Sequence, residues 1–212
     1  MTTTPRASGA EHPGDGATYG PGLLSCGEPP LVLQAPRELP RWVLGDTHFF
    51  HGNIARYAGR SADHEARMVA RWRALVRPED TLLHLGDVAL GPADEVAARL
   101  PELPGRIYLL RGNHDSRARL AVYAARGWHL AAPFALPYRG WTVRFRHVPS
   151  RDPLPPWTLE VHGHLHQHPA PTPRHVNVAV EHTDYAPVEL RPLLDRRIDA
   201  LAAEGLIPSV AS

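Results

Sequence analysis

Ile107-Tyr108-Leu109-Leu110-Arg111-Gly112-Asn113-His114-Asp115 is an apolar run of strand length that breaks off in a glycine, an amide, a histidine and an acid. The same pattern stands twice upstream. Trp42-Val43-Leu44 ends at Gly45-Asp46-Thr47-His48, and Thr81 to Leu85 ends at Gly86-Asp87. Helical patterns separate these runs. Ser61 to Val76 places Met68, Val69, Trp72, Leu75 and Val76 on one apolar face, with Ser61 as its cap and Asp63 and Glu65 in its first turn. Asp94 to Leu100 reads as a short helix, and Ser116 to Arg126 as a third that Gly127 stops. Strands and helices alternating in this way predict parallel strands joined by crossover helices.

The second half of the chain has another rhythm. Phe134 to Leu136 and Trp141 to Phe145 flank a Tyr138-Arg139-Gly140 turn, and Trp141, Val143 and Phe145 alternate with Thr142, Arg144 and Arg146, which predicts a hairpin. Further strands are expected at Leu159 to Val161, Val176 to Val180 and Val188 to Leu190, and this half is read as antiparallel. A last amphipathic helix runs through Leu193, Leu194, Ile198 and Leu201. The expected fold is therefore α/β: two packed mixed β-sheets flanked by helices.

Composition narrows what this fold can do. The chain has 212 residues, enough for one domain with a substantial core. Its formal net charge of +1 implies no bulk attraction to nucleic acid or membrane. One cysteine, Cys26, allows no internal disulfide and no thiolate metal cage. All 23 basic residues are arginine, which excludes a phosphate-loop lysine, Schiff-base chemistry and a serine–lysine hydrolase. Fourteen histidines point instead to metal binding. Residues 1–30, rich in proline and glycine, are read as a disordered or loosely attached extension to a single domain over 31–212. No long apolar run and no secretory pattern is present, so a cytoplasmic protein with no membrane partner is expected.

The polar residues fall at the strand ends. Carboxyl ends of parallel strands share one edge, where open sheets place their ligands. Asp46 with His48, Asp87, and Asn113 with His114 would meet there. His147 follows one strand of the second half, and His162, His164 and His166 follow another. Residues two apart in an extended segment point the same way, so Asp46 with His48, and His164 with His166, can each offer two donors together. Nitrogen and oxygen donors suit divalent metals such as Mn²⁺, Fe²⁺, Zn²⁺ or Ni²⁺. One cluster holding seven of these residues would exceed the needs of one ion; two ions sharing a carboxylate, about 3.5–4 Å apart, fit better.

Asp46-Thr47-His48, Gly86-Asp87, Gly112-Asn113-His114-Asp115, His147 and Gly163-His164-Leu165-His166, in that order, resemble the motifs of the calcineurin-like metallophosphoesterase superfamily. The stretch Asp46-Thr47-His48-Phe49-Phe50-His51-Gly52-Asn53-Ile54 is similar to its small bacterial and phage single-domain branch, and the likeness spans roughly Arg41 to Leu190. The resemblance implies an α-β-β-α sandwich. It also implies that Asp46, His48 and His166 hold one metal, that Asn113, His147 and His164 hold a second, and that Asp87 bridges them. A water or hydroxide between the ions would be the nucleophile. His114 would stabilise the pentacovalent phosphorus or protonate the leaving oxygen, with Asp115 fixing its tautomer and orientation. Mn²⁺ leads the candidate ions, ahead of Fe²⁺, Zn²⁺ and Ni²⁺.

Several residues keep two readings. Arg111 either meets a phosphate oxygen or is a surface residue. His51 and Asn53 either support the metals or contact substrate, or serve only the loop. Of His162 and His168, one is expected to support the ligands and one to be exposed. His84, inside a strand, is read as a buried hydrogen-bonded residue. Tyr185 either lines the cleft or belongs to a structural corner. Arg67, Arg71, Arg73 and Arg77 form a basic helix side, solvated and paired with acids, or a track for nucleic acid. The expected function is hydrolysis of a phosphodiester, or else a phosphomonoester, on a small or nucleotide-like substrate, with no cap domain over the cleft. A nuclease and a catalytically silent binding protein on the same fold are the alternatives.

Overall fold

The three repeated apolar runs lie side by side. The computed structural model describes residues 31–207, so the extension read over residues 1–30 lies outside the described residues. β1 (Trp42–Leu44) is followed by α1 (Ile54–Ala58) and α2 (His64–Leu75), then β2 (Thr81–His84), α3 (Ala93–Arg99), β3 (Arg106–Leu110), α4 (Arg117–Ala125) and β4 (His129–Ala131). The hairpin follows as β5 (Phe134–Tyr138) and β6 (Trp141–Phe145), then β7 (Thr158–His162), β8 (His175–Asn177), β9 (Val188–Glu189) and α5 (Leu190–Ala203). Among the described residues no helix is long and apolar enough to cross a membrane.

One sheet has the order β4-β3-β2-β1-β9 and the other β5-β6-β7-β8. Leu44 pairs with His84 and His84 with Leu109, so the first three strands are parallel and end level with one another. That register brings Asp46, Asp87 and Asn113 out at one edge. β9 closes the far side antiparallel to β1. In the second sheet only the hairpin is antiparallel; β6, β7 and β8 run parallel. The antiparallel reading of this half is therefore corrected. Long excursions after β6 and β7 return the chain to the same end, so His147 and the His164–His166 turn emerge together. At the hairpin tip Arg139 (φ 47°) and Gly140 (φ 79°) are both left-handed, the geometry that matches the twist of the two strands.

Strands buried on both faces explain the unbroken apolar runs. Trp42, Leu44, Leu82, Ile107 and Leu109 meet Met68, Trp72, Val96, Leu120 and Tyr123 of the three helices in one core. Val43, Leu83, Tyr108 and Leu110 face Trp141, Val143, Phe145, Leu159 and Val161 of the other sheet in a second core, which α5 joins through Leu194, Ile198 and Leu201. The architecture is two mixed sheets flanked by helices. Ser116 caps α4, its hydroxyl accepting from the Arg119 amide at 3.3 Å. Ser61 does not cap α2: the helix begins at His64, and the Ser61 carbonyl accepts from the His64 ring at 2.8 Å. β4 and α1, too short to show periodicity, were not expected from the sequence.

Candidate active site

The loops at this edge are held in conformations that few side chains adopt. Asp46 (φ 59°), His48 (φ 47°), Asp87 (φ 57°), His164 (φ 68°) and His166 (φ 46°) are all left-handed. Strain of this kind persists only where surroundings over-determine it, and it gathers at functional sites. It turns each side chain back across the strand ends. Asp46, His48 and His166 then offer ligand atoms within 4.8 Å of one another, and so do Asp87, His147 and His164.

The two groups abut. The Asp87 Oδ2 atom lies 3.5 Å from His48 Nε2 and 3.3 Å from His147 Nε2, so it stands between them as a shared carboxylate would. Asn113 Oδ1 lies 2.7 Å from His147 Nε2 and 2.9 Å from His164 Nδ1, completing the second group. All seven ligand-type residues singled out in the sequence thus converge. Two of the histidines have their tautomer fixed from behind. His147 Nδ1 donates to the Leu85 carbonyl at 2.7 Å, and His166 Nδ1 donates to Glu181 Oε1 at 3.1 Å, leaving Nε2 of each ring for a ligand.

Two glycines let the carboxylates sit where they do. A Cβ on Gly163 would collide with the Asp46 carboxylate, and one on Gly112 with that of Asp87. The Asp46 oxygens in turn accept from the His164 amide at 3.0 and 2.9 Å. Gly112 and Gly163 therefore leave space for the Asp87 and Asp46 carboxylate oxygens.

Electrostatics and burial fit a pair of cations. Asp46, His48, Asp87 and His147 are all buried. Both ring nitrogens of His48 lack a hydrogen-bond partner although the residue is 1% exposed, a costly arrangement for a histidine that is not a ligand. Burial drives the His48 pKa down to about 2 and the His164 pKa to about 4, keeping both rings neutral as ligation requires. Burial pushes the Asp46 carboxyl up to about 7. Burial opposes ionisation of Asp87 as well, but the hydrogen bond from His147 and its charge outweigh it and hold that carboxyl well below its usual range. His147, lowered by burial alone, is carried by Asp87 to about 9.

His114 stands at the exposed rim, its amide held by Asp87 Oδ1 at 2.8 Å and its ring centroid 5.4 Å from that of His48. Asp115 is engaged elsewhere. Its buried carboxylate accepts from the amides of Asp87 (2.7 Å), Gly112 (2.9 Å) and Val88 (3.2 Å), so it ties two motif loops together; the expected bond to the His114 ring is replaced by these three. Arg111 is exposed, and its Nε donates to the Asp115 carbonyl at 3.0 Å.

The remaining residues divide. The His51 ring lies 5.6 Å from His48, and its Nδ1 accepts from the Asn53 amide, so His51 borders the metal groups and Asn53 holds it through backbone. His162 is buried on the outer face of its sheet, with its ring 5.9 Å from His175, and is not gathered with the ligands. Tyr185 packs beneath the Arg67 guanidinium, 4.9 Å away, and against the helix-side core. On the basic side of α2, Arg67 and Arg71 pair at the surface with the exposed Asp184 at 3.1 and 2.5 Å, Arg73 donates to the Glu102 carbonyl at 3.1 Å, and Arg77 is exposed. His84 is the buried, bonded residue expected. Its Nδ1 accepts from the Gly86 amide, so Nε2 carries the proton and donates at 3.0 Å to Thr47, whose hydroxyl donates to the Val88 carbonyl.

Sequence reasoning missed Arg60 and Glu181. Arg60 is 3% exposed and donates to the carbonyls of Asp46 (2.6 Å) and Thr47 (2.7 Å) and to Glu181 Oε1. A signal for Glu181 existed, since it follows the Val176–Val180 run as Asp46 and Asp87 follow theirs. Arg60 had none: it looks like one more arginine near a helix start.

An uncharacterized protein of Methanocaldococcus jannaschii is 29% identical over 164 residues, covering 70% of this chain and 86% of its own. The gene 66 protein of Mycobacterium phage L5 is 25% identical over 175 residues, covering 64% of this chain and 81% of its own. The crystal structure of a protein of unknown function from Aquifex aeolicus superposes with a TM-score of 0.60 at 25% identity, covering 73% of this chain and 97% of that one. Residues 39–201, spanning every motif above, match the calcineurin-like phosphoesterase family, and the chain belongs to that family.

Proposed function

We propose that the protein hydrolyses a phosphodiester with two divalent cations, one held by Asp46, His48 and His166, the other by Asn113, His147 and His164, with Asp87 shared. The observation that carries this reading is the position of Asp87 Oδ2, 3.5 Å from a histidine of one group and 3.3 Å from a histidine of the other. Bound divalent ions supply Lewis acidity, lowering the pKa of water toward neutrality and polarising a phosphoryl oxygen. Mn²⁺ suits this mixed nitrogen and oxygen donor set.

The chain's own residues supply the rest. His114, fixed through its amide and open to solvent, can meet an ester oxygen at the rim and give it a proton. Arg111, oriented by its bond to the Asp115 carbonyl, can meet a phosphoryl oxygen beside it. The His51 ring lies 5.6 Å from that of His48, beside the same group. A hollow of about 800 Å³, walled by Val148, Pro149, Leu154, Pro171 and Pro173, reaches His164 and gives a second ester substituent room to lie. That hollow favours a diester over a monoester, and the formal net charge of +1 favours a small or nucleotide-like substrate over a long nucleic acid.

The test is a substrate panel after reconstitution with Mn²⁺. Bis-p-nitrophenyl phosphate is expected to turn over faster than p-nitrophenyl phosphate, with activity lost on chelation and in Asp87→Asn. A metal-loaded preparation inert toward both compounds and toward cyclic and linear nucleotide diesters would contradict the proposal.

A further inference from the structure

Arg60 and Glu181 are joined to each other and to one metal group only. The Arg60 side chain is fully buried and Glu181 is 5% exposed. Arg60 reaches Glu181 Oε1 through Nε at 2.8 Å and through a terminal nitrogen at 2.7 Å. Its remaining donors hold the Asp46 and Thr47 carbonyls at 2.6 and 2.7 Å. Those carbonyls belong to the turn in which Asp46 and His48 are both left-handed. The same Glu181 oxygen accepts from His166 Nδ1 at 3.1 Å. Every ligand of the Asp46–His48–His166 group is therefore touched by this couple or lies in the turn it clamps. Asp87 and His147 are anchored by other means, through the amide of His114 and the carbonyl of Leu85.

Resting on the two-cation reading above, we propose that Arg60 and Glu181 are positioning residues dedicated to the Asp46–His48–His166 cation. Glu181 sets the tautomer and ring orientation of His166, and Arg60 holds the strained turn that carries the other two ligands. A buried Arg60 needs a carboxylate partner, and its guanidinium fork suits one carboxylate and two carbonyls better than an ammonium would. Sharing one oxygen between Arg60 and His166 couples the turn to the histidine, so neither moves without disturbing the other. The two cations should then differ in what stabilises them, and one should be removable by mutation without loss of the other.

The test is titration of the metal-free full chain with Mn²⁺ by calorimetry, beside nitrogen-detected NMR of the His166 ring. Wild type is expected to take up two ions and to show His166 protonated at Nδ1. Glu181→Gln keeps volume and one acceptor; it should weaken one binding event by about 10–100-fold and leave the other within twofold. Glu181→Ala should also mix the His166 tautomers, and Arg60→Lys should weaken the same single event. A merely structural role would lower thermal stability in these variants without selecting one ion. If wild type binds two ions and Glu181→Gln leaves both events unchanged, or weakens both equally, the positioning role is overturned and the two-cation reading stands. If wild type binds fewer than two, both fall together.

Discussion

Gly163→Ala puts the geometry of the site to a quantitative trial. The added Cβ would lie about 1.2 Å inside the 3.4 Å at which ordinary contact with Asp46 Oδ2 begins. Gly163 does not have a positive φ, so alanine meets no backbone penalty and the whole effect falls on that carboxylate. Asp46 has little room to retreat: it is fully buried, and both its oxygens lie within 3.0 Å of the His164 amide. Overpacking of this size costs about 1–3 kcal/mol, or roughly 3–10 °C in Tm for a domain of this length. A ligand misplaced by about 1 Å should cut turnover by about 100-fold. Two other glycines set the scale. Gly45→Ala places its Cβ at 3.4 Å from Leu85 Cβ and should be mild, whereas Gly52→Ala meets nothing within 4 Å and should be neutral. The assays are thermal melting of the metal-free protein and diester hydrolysis at saturating Mn²⁺. If Gly163→Ala matched Gly52→Ala in both, the placement of Asp46 against Gly163 would be refuted.

Three further outcomes are expected. His114→Ala should lose about 10²–10⁴-fold in turnover while keeping its full complement of metal, because Asp87 holds only the His114 backbone amide; loss of bound metal would show His114 to be a ligand. Asp115→Ala should cost about 3–5 kcal/mol in denaturant unfolding by stranding the amides of Asp87, Val88 and Gly112, with Asp115→Asn losing less; full stability with a changed His114 ring tautomer would instead show that Asp115 serves His114. His84 is held neutral in the fold, its pKa lowered by burial to about 3, so only the unfolded chain takes up its proton between pH 6.5 and 3. Stability from this group is present above pH 6.5 and lost on acidification through that window, at about 1.4 kcal/mol per pH unit, and His84→Gln should flatten the acid limb by one proton. An unchanged slope in His84→Gln would contradict the burial argument.

What could be read in advance was set by period and by position along the strands. Val43, Leu83 and Leu110 face one core and Leu44, Leu82 and Leu109 the other, so β1 to β3 announce themselves as unbroken apolar runs. Their parallel register then brings Asp46, Asp87 and Asn113 to one edge whatever the details of the loops. Strand direction in the second sheet was not legible. Thr158, Glu160 and His162 alternate with Leu159 and Val161 as they would in an antiparallel strand, yet the loop after β6 returns the chain parallel to it. Its Ser150 amide donates to the buried Glu160 at 2.5 Å, a contact that no local pattern encodes. Asp115 was misread for a related reason: adjacency to His114 in sequence says nothing about which way a carboxylate turns. Arg60 was invisible because its value lies in two carbonyls and a glutamate that are distant along the chain.

Anomalous diffraction from a crystal loaded with Mn²⁺ decides whether two cations share the Asp87 carboxylate. Two peaks are expected about 3.5–4 Å apart, with an Asp87 oxygen between them, Asp46, His48 and His166 around one, and Asn113, His147 and His164 around the other. A single peak at full occupancy, or two peaks that Asp87 does not bridge, would rule out a shared carboxylate.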